Sequence, residues 1–268
     1  MTETKDFISL DHIIIAVRDL DAAEATYSRI LGRSPSWRGT HPGQGTGNIL
    51  YRLDNTYIEF LAPVGEGPSA RALSARLDET GEGLFGVVLG TADADAAVAA
   101  LRARGHKAGD PVDGSGRDDL TGAERRWRSF SFDSAQMRGI FMFGIEHLSP
   151  ADALPKAPLR GEATDENAIS AVDHVVVMTP DAEALKTLFG DIFGIRLALD
   201  HSKPEWGVRQ LFFRLGGVTL EIVQPLDATK APSKDFLWGL AWRVGSVGTV
   251  RERILHEGHD VSEVRLGR

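Results

Sequence analysis

An internal duplication constrains this chain more than any other feature. The segment Leu10–Val17, LDHIIIAV, returns as Ala171–Met178, AVDHVVVM. Further on, YRLDNTYIEFLAP from Tyr51 returns as FRLGGVTLEIVQP from Phe213. His12 and His174 stand 162 positions apart (174 minus 12), and so do Gly32 and Gly194, Arg52 and Arg214, Glu59 and Glu221, and Pro63 and Pro225. One constant offset with no insertion is the mark of a duplicated structural unit. A second pair, GLFGVVLG from Gly83 and FLWGLAWR from Phe236, is offset by 153 (Gly86 to Gly239). The same offset relates Gly105-His106 to Gly258-His259.

Each repeat reads as the same module. HIIIAV is a buried apolar run of strand length. Asp19 and Asp21 suit a helix start, Leu20, Ala23, Tyr27, Ile30 and Leu31 share one helical face, and Gly32 stops the helix. Shorter β-like stretches follow around Pro35–Trp37, Gly47–Leu53 and Tyr57–Leu61, giving β-α-β-β-β. From His174 the pattern repeats, with Leu185, Leu188, Phe189 and Ile192 on the helix and Gly194 at its end. The segment from Gly83 is a third copy, with Val98 and Leu101 on its helix and RRWRSFSF and GIFMFGIEH as later strands. The segment from Phe236 begins a fourth copy, incomplete in this sequence, where the last two strands have no counterpart. Residues 149–168 carry Pro150, Pro155 and Pro158 and read as a linker. The expected architecture is α+β: domain one over 1–150, with modules 8–65 and 82–150, a linker over 151–168, and domain two over 169–268.

Composition narrows the function classes. A net charge of −8 over 268 residues makes nucleic acid and anionic membranes poor partners. Arg125, Arg126 and Arg128, interrupted by Trp127, read as strand decoration. The absence of cysteine excludes disulfides, thiolate nucleophiles and cysteine-held metals. The start MTETKDFISL has neither a basic nor an apolar signal region, and no apolar run approaches the roughly 20 residues of a membrane span. A cytoplasmic protein is expected.

LDHIIIAVRDLDAAEATYSRILG, HPGQGTGNILYRL and YIEFLAP together resemble the vicinal oxygen chelate superfamily, and within it the glyoxalase-like domain proteins. The resemblance covers nearly all the chain outside the linker and is specific for the fold. It is less specific for the reaction, because this fold hosts lyases, isomerases, epimerases, dioxygenases and metal-free antibiotic-binding proteins. It implies modules paired into a cupped sheet, with metal ligands on the first and fourth strands. Carried over, those positions are His12 and Glu59, then His174 and Glu221. In the second module, Glu146 precedes Pro150 as Glu59 precedes Pro63 and takes the ligand position, while His147, one register away, is expected on the opposite face. Leu84–Gly86 and Leu237–Gly239 supply no ligand. The implied cofactor is a divalent ion (Zn, Ni, Fe, Mn or Mg) held by His12, Glu59 and Glu146. Such an ion chelates vicinal oxygens of a substrate and stabilises an enolate, with Glu59 or Glu146 as the base.

The residues leave two other functions open. One is a metal-free protein that binds a drug or metabolite. The other is an extradiol-type dioxygenase, which needs a second histidine where Trp238 stands. A buried Glu without metal would need a partner, and Arg52 and Arg214 are candidates. GQGTG from Gly43 does not open a helix, so it reads as a loop bordering the pocket rather than a dinucleotide motif. Trp37, His41, Asn48 and Arg52 are candidate substrate contacts. Trp238 and Trp242 read as core, Ser115 and Ser246 lack a nucleophile pattern, and His106, His256 and His259 read as surface residues. A small-molecule ligand and a homodimer are the expected partners.

Overall fold

A computed structural model describes residues 6–266. The first module is β1 (Ser9–Ala16), α1 (Leu20–Leu31), β2 (Trp37–His41), β3 (Thr46–Arg52) and β4 (Tyr57–Pro63). Asp19 caps α1 by accepting from the Asp21 and Ala22 amides, and Gly32 closes it at φ 68°. The second strand begins at Trp37 rather than at Pro35, because Pro35 has no amide to donate; pairing starts with Trp37 opposite Leu50. The second module is β5 (Gly83–Gly90), α3 (Ala94–Ala103), β6 (Val112–Arg117), β7 (Glu124–Ser131) and β8 (Phe141–His147). Between the two lies α2 (Pro68–Thr80), which the repeat does not announce. Its local signals were legible: Pro68 in the first turn, and Ala70, Leu73 and Leu77 buried at helical spacing.

The third module is β9 (Ile169–Met178), α4 (Ala182–Lys186), β10 (Arg196–Lys203), β11 (Val208–Leu215) and β12 (Val218–Pro225). Helix α4 runs on through a π-helical stretch, Thr187–Ile192. The fourth copy comprises β13 (Phe236–Val244) and α5 (Val247–His256), with no strand after them among the described residues.

Eight strands form one sheet in the order β2-β3-β4-β1-β5-β8-β7-β6. The modules join at its centre, where β1 runs parallel to β4 and antiparallel to β5. The sheet curls until its edges meet at a bridge between Gly39 and Asp118, and the Asp118 carboxylate accepts the Arg38 amide at 2.9 Å. A cup results, closed at one end by α2, whose Leu73 and Leu77 pack on Ala16. The other sheet, β10-β11-β12-β9-β13, has five strands and stays open.

Strand alternation sorts the side chains. Ile13, Ile15, Ile58, Phe60, Val87 and Met142 enter the main core, whereas Ile14, Val88 and Ile145 form a separate apolar cluster within the cup. The main core is continuous across both sheets: Phe193 of the third module packs on Phe7 and Phe132. His106, expected at the surface, is buried between Phe132 and Phe193, with no partner for either ring nitrogen. Burial lowers its pKa and keeps it neutral. Trp238, expected in the core, is 66% exposed on β13, while Trp242 packs against the core. The segment 149–168 is docked: Leu154 and Ala157 are buried, and buried Arg33 donates to the carbonyls of Ala157 and Ile169. Among the described residues, no helix is long and apolar enough to cross a membrane.

Tight packing behind the cup has a measurable consequence. A Cβ at Gly144 on β8 would stand 2.2 Å from the Phe130 ring. Gly144→Ala is therefore expected to destabilise the fold by about 1–3 kcal/mol in denaturant titration, since the aromatic core behind it has no free volume.

Candidate active site

The cup encloses a cavity of about 530 Å³ lined by all its strands except β2's edge partner β6, and by α2. Ile14, Leu61, Phe85, Trp127 and Phe143 make its walls apolar. His12 and Glu59 open onto it, because β1 and β4 are parallel neighbours and both residues sit on the cup face. His12 Nε2 lies 3.3 Å from Glu59 Oε2.

Both side chains are held from behind. His12 Nδ1 donates to Asp11 Oδ1 at 2.7 Å, and His147 Nε2 donates to Asp11 Oδ2 at 2.9 Å. Asn48 donates to Glu59 Oε1 at 2.7 Å and also reaches His41, whose Nδ1 is bonded to the Thr46 hydroxyl. The Tyr57 ring stacks on His12 with centroids 4.5 Å apart. Burial acts against charge on each member of this chain, but the mutual hydrogen bonds outweigh it. His12 is raised above 6.5 by Asp11 and Glu59, Glu59 is held at about 2 chiefly by His12, and the two histidines hold Asp11 well below the carboxylate range.

Several expected positions fall elsewhere. Glu146 is on the opposite face of β8, where its carboxylate accepts the Ala94 amide at 3.1 Å at the start of α3 and lies 3.6 Å from Arg128. His147, not Glu146, turns into the cup, along with Phe143 and Ile145. The helix N-terminus satisfies Glu146 and removes it from the His12–Glu59 pair. Arg52 is not the partner of Glu59; it donates to the Ala151 carbonyl at 3.1 Å and lines a separate cavity of about 320 Å³ under the docked segment. Trp37 is buried beside that wall rather than exposed to the cup, while His41 and Asn48 do line it. Arg125 is not surface decoration: it is buried, lines both cavities, and lies 5.6 Å and 5.4 Å from the ring centroids of Trp37 and Tyr57.

The open sheet carries the same constellation. His174 Nδ1 donates to Asp173 at 3.0 Å, His174 Nε2 lies 3.2 Å from Glu221, and Gln210 donates to Glu221 at 2.6 Å while bonding His201. Gln210 stands where Asn48 stands, at the same 162-residue offset, and Asp173 answers Asp11. Arg214 is bonded to the Thr219 hydroxyl, not to Glu221. Here the histidine side chain is 29% exposed, against 3% for His12, since among the described residues β13 is the edge of the sheet. The Asp-His pair and the Asn/Gln supports were present in the repeat itself, as polar residues recurring at the same 162-residue offset.

A curled sheet of paired βαβββ modules, with a histidine from one strand meeting a glutamate from its parallel neighbour in an enclosed cup, defines a glyoxalase-like protein. Comparison with known families agrees. Residues 10–166 match the glyoxalase-like domain, and residues 173–268 match the glyoxalase/bleomycin resistance protein/dioxygenase superfamily. The chain belongs to this vicinal oxygen chelate superfamily. Among curated proteins, it is 45% identical over 58 residues to an ethylmalonyl-CoA/methylmalonyl-CoA epimerase of Cereibacter sphaeroides, covering 22% of this chain and 43% of the relative. It is 41% identical over 56 residues to the human mitochondrial methylmalonyl-CoA epimerase, covering 21% and 32%. The chain thus spans less than half the length of these relatives. A triple mutant of 4-hydroxymandelate synthase from Streptomyces coelicolor superposes with a TM-score of 0.66 at 16% identity, covering 94% of this chain and 75% of the other. At that identity the likeness concerns the fold alone.

Proposed function

We propose that the domain-one cup is the active site of a metal-dependent enzyme of the lyase, isomerase or epimerase kind, acting on a small molecule with adjacent oxygen functions. The observation that carries this reading is the approach of His12 Nε2 to Glu59 Oε2 within an enclosed apolar cavity, each atom aimed by a further hydrogen bond.

The donor set fits a divalent ion in part. No group of three His, Asp or Glu is arranged for metal among the described residues. One imidazole and one carboxylate suit a hard or borderline ion that takes its other ligands from water and substrate. Such an ion, when bound, supplies fixed positive charge beside a substrate oxygen on which negative charge develops. The protein's own part follows from the geometry. Asp11 holds the Nδ1 proton of His12, so Nε2 is the atom presented to the cavity. Asn48 occupies Oε1 of Glu59 and leaves Oε2 to receive a proton from substrate carbon. The low pKa of Glu59 depends on a cationic His12; a neutral His12 returns Glu59 towards its ordinary basicity. The curated relatives are named as epimerases of acyl-CoA thioesters, which supports the epimerase form of this reading.

The test is ion binding followed by proton exchange. Chain stripped with EDTA is titrated calorimetrically with Mn²⁺, Ni²⁺, Zn²⁺ and Mg²⁺, then assayed by NMR for loss of C–H signals from 2-oxo acids and acyl thioesters in D₂O. About one ion per chain and ion-dependent exchange are expected. Less than about a tenth of an ion per chain, with no exchange, would transfer the site to the second reading. That reading, a metal-free protein that binds a drug or metabolite, is favoured by the missing third ligand and the apolar walls.

A further inference from the structure

Arg125 stands apart among the buried ionised side chains of the described residues in having neither a carboxylate nor a carbonyl beside it. Glu59, Glu221 and Asp235 each face a cationic or hydrogen-bonding partner, Asp118 accepts backbone amides, and Arg33 donates to carbonyls. Arg125 is 7% exposed, yet no carboxylate lies within ion-pairing distance and no carbonyl accepts from it. Its surroundings are the aromatic rings of Trp37 and Tyr57; it hydrogen-bonds the Tyr57 hydroxyl, which stays neutral because burial raises its pKa well above 10, so no countercharge meets the guanidinium. Cation–π contact repays only part of the cost of removing a guanidinium from water. The guanidinium is not sealed in: it borders the cup, on the same β7 face as Trp127 and Ser129.

We propose that Arg125 is an anion anchor that selects, for the cup, a small monocarboxylate with an apolar body. One guanidinium balances one negative charge, and its planar fork matches a carboxylate in two parallel hydrogen bonds. Tyr57 lies between the anchor and the proposed proton-transfer pair, against His12 on one side and Arg125 on the other. Ile14, Leu61, Phe85 and Phe143 receive the apolar remainder. A neutral isostere would bring the cation no countercharge in exchange for the water it displaces, and so would bind more weakly. The inference deepens the reading above and rests on it for catalysis, but the anchor itself requires neither an ion nor turnover.

The probe is benzoate against benzamide, which has the same shape without the charge. Full-length EDTA-treated chain is titrated with each, following the fluorescence of Trp37 and Trp127, which flank the site. Benzoate is expected to bind at least about tenfold more tightly. Arg125→Met is expected to bring the two within about twofold, and Arg76→Met, which removes an equal charge from α2 on the same cavity, to keep the preference. Should Arg125→Met fail to fold, Arg125→Lys keeps the charge, loses the fork, and is expected to lower the preference at least about threefold. Equal binding of both probes, no binding of either at millimolar concentration, or a preference untouched by the Arg125 variants overturns the proposal. A benzoate preference retained in His12→Ala alongside lost ion binding would show the anchor standing without the metal reading. Ion binding and exchange without a benzoate preference would show the reverse.

Discussion

His12→Ala is expected to lower the affinity of the chain for a divalent ion at least about a hundredfold, while His174→Ala changes it less than about threefold. The two histidines share the same partners, so the difference lies in their surroundings. His12 is enclosed with Glu59 in the cup; His174 stands on an open sheet where water competes for every coordination position. Calorimetric titration of the two variants separates them, and equal losses would refute the assignment of the site to domain one. The same affinity should depend on pH with a defined sign. An ion at Nε2 must displace a proton, and the pKa of His12 is raised above 6.5. Affinity therefore falls about tenfold per unit as pH drops below that raised pKa, and levels off above it. In ion-free protein the linkage runs the other way: the Asp11–His12–Glu59 contacts add full stability between pH 4.5 and 6.5, lose it as pH rises through the raised pKa of His12, and lose it again in acid as Glu59 and Asp11 are protonated.

Arg33→Ala is expected to cost about 2–4 kcal/mol in denaturant unfolding, from orphaned carbonyls and lost packing. Arg33 is 2% exposed and donates to Ile169 O at 2.6 Å and Ala157 O at 2.8 Å, tying the end of α1 to the docked segment and to the start of β9. Truncation leaves both carbonyls without their donor and opens a void where the buried side chain stood. Limited proteolysis should then cut within residues 149–168 faster than in the native chain. Unchanged stability and unchanged cleavage would show that the docked segment is held by Leu154 and Ala157 alone.

These two residues illustrate what a linear reading reaches. His12 and Glu59 were legible because each recurs at a fixed offset within a repeated strand, and parallel pairing of β1 with β4 brings them together. Arg33 was not legible, because its partners lie more than a hundred positions away and are backbone atoms without sequence identity. The proline-rich segment 149–168 has the composition of a free linker, yet tertiary contacts pin it down. Helix α2 escaped notice since it belongs to neither repeat, although its apolar spacing was present.

The sequence alone determined the duplication, the β-α-β-β-β order of each module and the pairing of an aspartate–histidine strand with a glutamate strand, because these rest on periodicity and on spacing within one module. Only the tertiary structure decided which face of β8 and β7 enters the cup. Both faces of those strands carry mixed apolar and polar residues, so alternation has no polar side to mark. Glu146 went outward because the first turn of α3 offered it an amide, His147 came inward to meet Asp11, and Arg125 came inward between two aromatic rings. Each choice is set by a partner from a distant part of the chain, and such partners are visible only once the sheet has closed.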